Sequence, residues 1–137
     1  MKIHPLFLCL LFISLSLLGC AKSVVKLNED NNRFYQEANR AKTQMAPADY
    51  KRWIMNQIAN KKAHLAGLEG RKDREGQMLG NHEAMTEGAA TVGGQEGVHA
   101  FQADRSRQYM QELEEQKKLI RRHLFYLNSQ LSELDNK

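Results

Sequence analysis

The side chains with the most chemical reach in this 137-residue chain are Cys9, Cys20 and the histidines His4, His64, His82, His99 and His123. Thiolate and imidazole are the common ligands of zinc, and they serve also as nucleophile and base. A metal centre needs three or four such groups converging, and His64, His82, His99 and His123 lie far apart with no ligand spacing between them. The run His82-Glu83-Ala84-Met85-Thr86 opens as a two-histidine zinc helix would, but Thr86 stands where the second histidine is needed. Glu114 and Glu115 are adjacent and point apart on a helix, so they do not form an acid–base pair. P-loop, dinucleotide and nucleophile-elbow patterns are absent, and no strand precedes the glycines to give them phosphate-binding geometry. The sequence therefore predicts no catalytic residue, no metal site and no cofactor, and a protein that is not an enzyme.

One cysteine does have a chemistry of its own. Met1 to Pro5 carry a single positive charge, and Leu6 to Leu18 follow, apolar except for Ser14 and Ser16. Those 13 residues fall short of the roughly 20 that a membrane-spanning helix needs. A positive start, a short apolar stretch and a small residue at the boundary read as an export signal over residues 1–19. Leu17-Leu18-Gly19-Cys20 resembles the bacterial lipobox, in which a small residue precedes an invariant cysteine. The resemblance covers only these first residues. It implies cleavage after Gly19, a diacylglyceryl thioether on Cys20 and acylation (palmitate or a similar chain) of the new amino group. Two or three chains on one residue make a stable anchor where a single chain holds only marginally. Ala21 is not the aspartate that marks inner-membrane retention in many lipoproteins, so the resemblance implies the outer membrane with the body in the periplasm. Cys9 would leave with the signal, so no disulfide or free thiol remains in the mature chain.

Gly80-Asn81-His82-Glu83 resembles one signature of the binuclear metallophosphoesterases. That family carries further Asp, His and Asn motifs on a much larger fold, and this chain has none of them. The terminal Lys137 resembles in outline the Braun lipoprotein family, in which a lipid-anchored heptad helix ends in a lysine joined to peptidoglycan. This chain departs from that family in length, in its glycine-rich middle and in the residues before the lysine.

The elements that carry these residues are predicted to be helices throughout. Residues 20–32 form the anchor and a polar, flexible tether. Residues 33–69 form two helices, the first from about Asn31 to Met45 with Phe34, Ala38, Ala41 and Met45 on one face. Pro47 ends the first and opens the second, where Asp49 favours the N-terminal dipole. The second helix carries Tyr50, Ile54, Ile58, Leu65 and Leu68 with Trp53 alongside, and is expected to stop near Gly67 or Gly70. Eight of the nine glycines lie between Gly67 and Gly97, so residues 70–100 are expected to be a partly disordered linker with a weak helix around 72–87.

Residues 101–137 are the most regular part. Met110, Leu113, Lys117, Ile120, Leu124, Leu127, Leu131 and Leu134 are spaced 3, 4, 3, 4, 3, 4, 3, a heptad seam broken once by Lys117. It predicts a long helix from about Ala103 to Asp135, with Leu119, Phe125 and Tyr126 off the seam. The fold class is all-α, an extended helical hairpin or three-helix arrangement. Heptads do not say whose helix fills the groove: it is either the chain's own helices or a helical partner or second copy docking on Met110, Leu113, Ile120, Leu124, Leu127, Leu131 and Leu134. Lys and Arg number 20 against 16 Asp and Glu and are interspersed, the pattern of a solvated surface rather than of a nucleic-acid stripe. The expected role is a non-enzymatic accessory or assembly factor of an envelope machine, of the secretion or conjugation kind, held to the bilayer through Cys20. Pilotins and surface-exclusion lipoproteins are small, lipidated and non-enzymatic in the same way. The alternative is a structural tether from the outer membrane to peptidoglycan through Lys137.

Overall fold

The computed structural model describes the backbone of residues 5–92 and 96–136 and the side chains of residues 25–88 and 97–136. Three helices run in order, α1 (Pro5–Gln44), α2 (Pro47–Val92) and α3 (Glu96–Asp135), with no strand among the described residues. The fold is all-α, with the expected long C-terminal helix. The chain divides into two units, residues 1–43 and residues 44–137.

The first unit is α1. Phe34, Ala38 and Ala41 are buried at the expected spacing of 4 and 3, and the Phe34 and Tyr35 rings meet edge to face at 5.2 Å. Residues 21–32, expected as a flexible tether, are helical and continuous with this stretch. Twelve residues that would reach about 40 Å extended span only about 18 Å as helix. The helix stops at Gln44, where Pro47 at the start of α2 disfavours helical continuation.

The second unit is an antiparallel hairpin of α2 and α3. Three cross-helix ion pairs fix its direction and register: Lys51 with Asp135, Lys72 with Glu114 at 2.6 Å, and Glu83 with Arg107 at 2.6 Å. At the start of α2 the Tyr50 amide donates to the Ala46 carbonyl at 2.9 Å, and Asp49 lies in the first turn as expected. Leu68, Leu113 and Ile120 form the core, with Leu65 and Leu124 packed against it, and Ile54 and Leu127 are fully buried.

Helix α2 does not stop at Gly67 or Gly70; it runs to Val92, and α3 starts at Glu96 rather than near Ala103. The expected linker over 70–100 is thus helical over all its described residues, while 93–95 lie outside them. Packing explains the difference. Beyond Leu68 the half-buried residues Lys72, Glu75, Leu79, His82 and Thr86 are spaced 4, 3, 4, 3, 4 in continuation of Leu65 and Leu68, with Gly70 and Glu83 half-buried beside that line. That is a heptad face written mostly in polar residues, and contact along α3 sustains it where intrinsic propensity would not. The glycines still cost stability. Gly76 and Gly80 sit in the helix interior, and a Cβ built on either meets nothing within 4 Å. Gly76→Ala and Gly80→Ala are each expected to stabilise the hairpin by about 0.5–1 kcal/mol. Urea unfolding followed by circular dichroism checks this, and a lower midpoint for both variants would contradict the helical assignment of this segment.

Candidate functional site: the flanks of the helical hairpin

The heptad seam singled out in the sequence lies inside the hairpin. Leu113, Ile120 and Leu127 are buried, and Met110, Leu124, Leu131 and Leu134 are half-buried. α2 occupies this groove, the first of the two occupants that the heptads allow, so these residues hold the hairpin together. The seam also extends further towards the start of α3 than expected, through buried Ala103 and Ser106. These two continue the 3, 4 spacing back from Met110. Their small size hid that continuation in the sequence.

The one break in the seam has a structural role. Lys117 is 7% exposed, and its ammonium reaches Glu114 at 3.3 Å and Glu69 at 3.8 Å. Glu114 also accepts from Lys72 at 2.6 Å, and Glu69 pairs with Arg121 at 3.7 Å. Hydrogen bonds from Lys72 first and Lys117 second hold the Glu114 carboxyl below the usual range of a glutamate. The contribution of this layer is therefore present above the ordinary glutamate pKa and is lost as acid protonates Glu114. A polar layer within an apolar seam fixes register, because a slip parts Lys117 from Glu69 and Glu114 from Lys72 and leaves the buried lysine only the Glu114 carboxylate of its own helix.

Cross-helix ion pairs continue along the same side of the hairpin. Glu83 with Arg107, Glu69 with Arg121 and Lys51 with Asp135 all join α2 to α3. Each is partly solvated and adds little to stability, so their main effect is again register.

The other flank differs. Two adjoining concavities of about 440 and 410 Å³ run between α2 and α3, both lined by Glu75, Met78 and Tyr109. Arg71 and Arg74 border the first, and Arg105 and His82 border the second. Met78 and Tyr109 are 47% and 39% exposed, so apolar surface faces solvent here. Among the described residues Arg71, Arg74 and Arg105 form no ion pair, unlike Arg107 and Arg121 on the opposite flank. In the sequence these arginines stand in two short basic clusters, Arg71-Lys72-Arg74 and Arg105-Arg107, remote from each other; that they gather round one groove depends on how α2 and α3 align.

Two aromatic features complete the surface. Phe125 on α3 is 80% exposed, and Trp53 is half-buried and stacked on Tyr50 at 6.0 Å. The Tyr50 hydroxyl donates to Gln130 Oε1 at 3.4 Å. Burial, with smaller contributions from Tyr126 and Glu133, pushes the Tyr50 phenol up to about 12. A raised phenol favours the protonated folded state, so its stabilisation is complete below the ordinary tyrosine pKa and fades as pH climbs towards 12. The hairpin is expected to lose stability through that alkaline window, and Tyr50→Phe is expected to flatten the loss. Urea midpoints measured across the window decide it; identical profiles for the two proteins would refute the assignment.

His82 and His99 stack with ring centroids 6.0 Å apart, and no group of three or more His, Cys, Asp or Glu among the described residues could hold a metal ion. His123 is buried in α3. Gly19 and Cys20 lie in the helical backbone of α1, but their side chains are outside the described residues, as is Lys137 entirely. Among the described residues no helix is long and apolar enough to cross a membrane. Comparisons with protein-family models, with curated proteins and with solved structures find no match to this chain.

Proposed function

We propose that this chain is an outer-membrane lipoprotein whose periplasmic helical body acts by binding, as an accessory or assembly factor of a secretion or conjugation type of envelope machine. The observation that carries the reading is Leu17-Leu18-Gly19-Cys20 directly after a short apolar run and a positively charged start. In mechanism, cleavage after Gly19 frees the Cys20 amino group and acyl chains on that residue fix the chain to the bilayer. Helix α1 from Cys20 to Gln44 sets the reach, because a helix is a stiffer and shorter spacer than an extended tether. The hairpin then presents its side faces, since its seam is filled from within. Stiff helical bodies with groups displayed along their length suit docking.

Mass spectrometry of the membrane-extracted protein, before and after wall digestion, tests the reading. The expected product begins at Cys20, carries a diacylglyceryl group there, and has an unmodified Lys137. A free Cys20 thiol on an uncut chain would refute the anchor. A peptidoglycan stem peptide on Lys137 would replace docking with wall attachment as the role of the body.

A further inference from the structure

We infer that the groove between Arg74 and Arg105 is the docking site for an acidic amphipathic helix of a partner protein, which lies along α2 and α3 as a third strand. This deepens the docking reading above and makes no use of the anchor at Cys20. Three observations carry it. First, the groove is apolar at its centre and concave: Met78 and Tyr109 line both of its halves and remain 47% and 39% exposed. Second, its charge is one-sided. Arg71 and Arg74 border it from α2 and Arg105 from α3, against the single carboxylate of Glu75, and none of the three arginines has an ion-pair partner among the described residues. Third, the opposite flank shows what a satisfied flank of this hairpin looks like, with Arg107 and Arg121 each paired across the helices.

The shape selects the occupant. From Arg71 to His82 the groove follows α2 for about 16 Å, roughly three helical turns. Side chains lying in a hollow between two helices are met by the knobs of a third helix, which can enter between them. A flat lipid surface would touch the helix crests first. Methionine suits such a site because its flexible, polarisable side chain adapts to the partner's apolar residues. With cations on both rims, the matching helix carries acidic residues on both edges of its apolar stripe. A second copy of this hairpin would bring the same arginines against one another, which charge complementarity disfavours.

The test uses the full chain in the presence of neutral phosphatidylcholine nanodiscs. The probe is a fluorescent synthetic peptide of three heptads with leucine at a and d and glutamate at e and g, read by anisotropy. Saturable binding is expected, weakened at least about tenfold (about 1.4 kcal/mol) by the double substitution Arg74→Glu with Arg105→Glu and retained by Arg74→Lys with Arg105→Lys. Both positions are exposed, so the circular dichroism of the variants should be unchanged. Equal binding by wild type and the glutamate variant would overturn the inference, as would equal affinity for a peptide with lysine at e and g. Arginine-dependent binding to phosphatidylglycerol vesicles without peptide binding would overturn it in favour of a lipid surface. An arginine-dependent dimer in sedimentation, again without peptide binding, would overturn it in favour of self-association. Because the readout does not need acylation, a failed anchor leaves this result unaffected.

Discussion

Leu127→Ala is expected to destabilise the hairpin by about 2–5 kcal/mol. Leu127 is fully buried on α3, in a unit whose core is one seam between two helices. A removed isobutyl group loses its transfer free energy and leaves a cavity that two straight helices can close only by bending or slipping. Slippage is opposed by the Lys72, Glu114 and Lys117 layer and by the ion pairs on its side, so the cavity should persist. Small domains are stable by only about 5–15 kcal/mol in total, so this one change removes a large part of the margin. Phe125→Ala is the control. At 80% exposure it removes a larger side chain from almost no contact, and its effect should stay within about 0.5 kcal/mol. Urea titrations followed by far-ultraviolet circular dichroism compare the two directly. If Leu127→Ala costs no more than Phe125→Ala, the seam does not pack against α2.

How far such packing was legible in the sequence varies along the chain, for physical reasons. Helix α3 was legible because its seam is written in large apolar residues at an unbroken heptad spacing, and the break at Lys117 was visible as well. What could not be read was the company Lys117 keeps: Glu69 is remote in the chain and becomes its neighbour only through the antiparallel register. The boundary at Pro47 was legible because proline acts locally on its own backbone. The continuation of α2 beyond Gly70 was not, because glycine lowers local propensity and the compensating contacts come from α3. Its inward face is carried by Lys72, Glu75, His82 and Thr86, which carry no apolar period, so the pattern that reveals one helix conceals its mate.

The candidate groove falls on the same divide. Arg71, Arg74 and Arg105 were legible as charges, but their gathering around Met78 and Tyr109 is a property of the alignment. Cys20 is the opposite case, since a lipobox is local in sequence and needs no tertiary structure to be recognised. The two halves of the proposed function therefore rest on different information, an address in the first residues and a binding face in the folded hairpin. Each can fail without the other.

The address carries the second large expectation. Cys20→Ser should move the body from the membrane to the soluble fraction almost completely. The sulfur is the atom that would carry the diacylglyceryl thioether, and a serine hydroxyl does not supply an equivalent nucleophile under the same conditions. Burial of acyl chains contributes about 0.8 kcal/mol per methylene, so two or three chains bind essentially permanently whereas their loss leaves little to replace them. The apolar stretch from Leu6 to Leu18 is 13 residues, short of what a spanning helix needs. No described helix elsewhere is long and apolar enough to cross a membrane. Fractionation with immunoblotting reads the result, and Gly97→Ala, an open helical position in α3, serves as a neutral comparison. Release of the serine variant alone would tie membrane attachment to the Cys20 sulfur. Retention of both proteins would place the membrane contact in the body, and the exposed flanks of the hairpin would then have to be tested as membrane-binding faces in place of protein-binding ones.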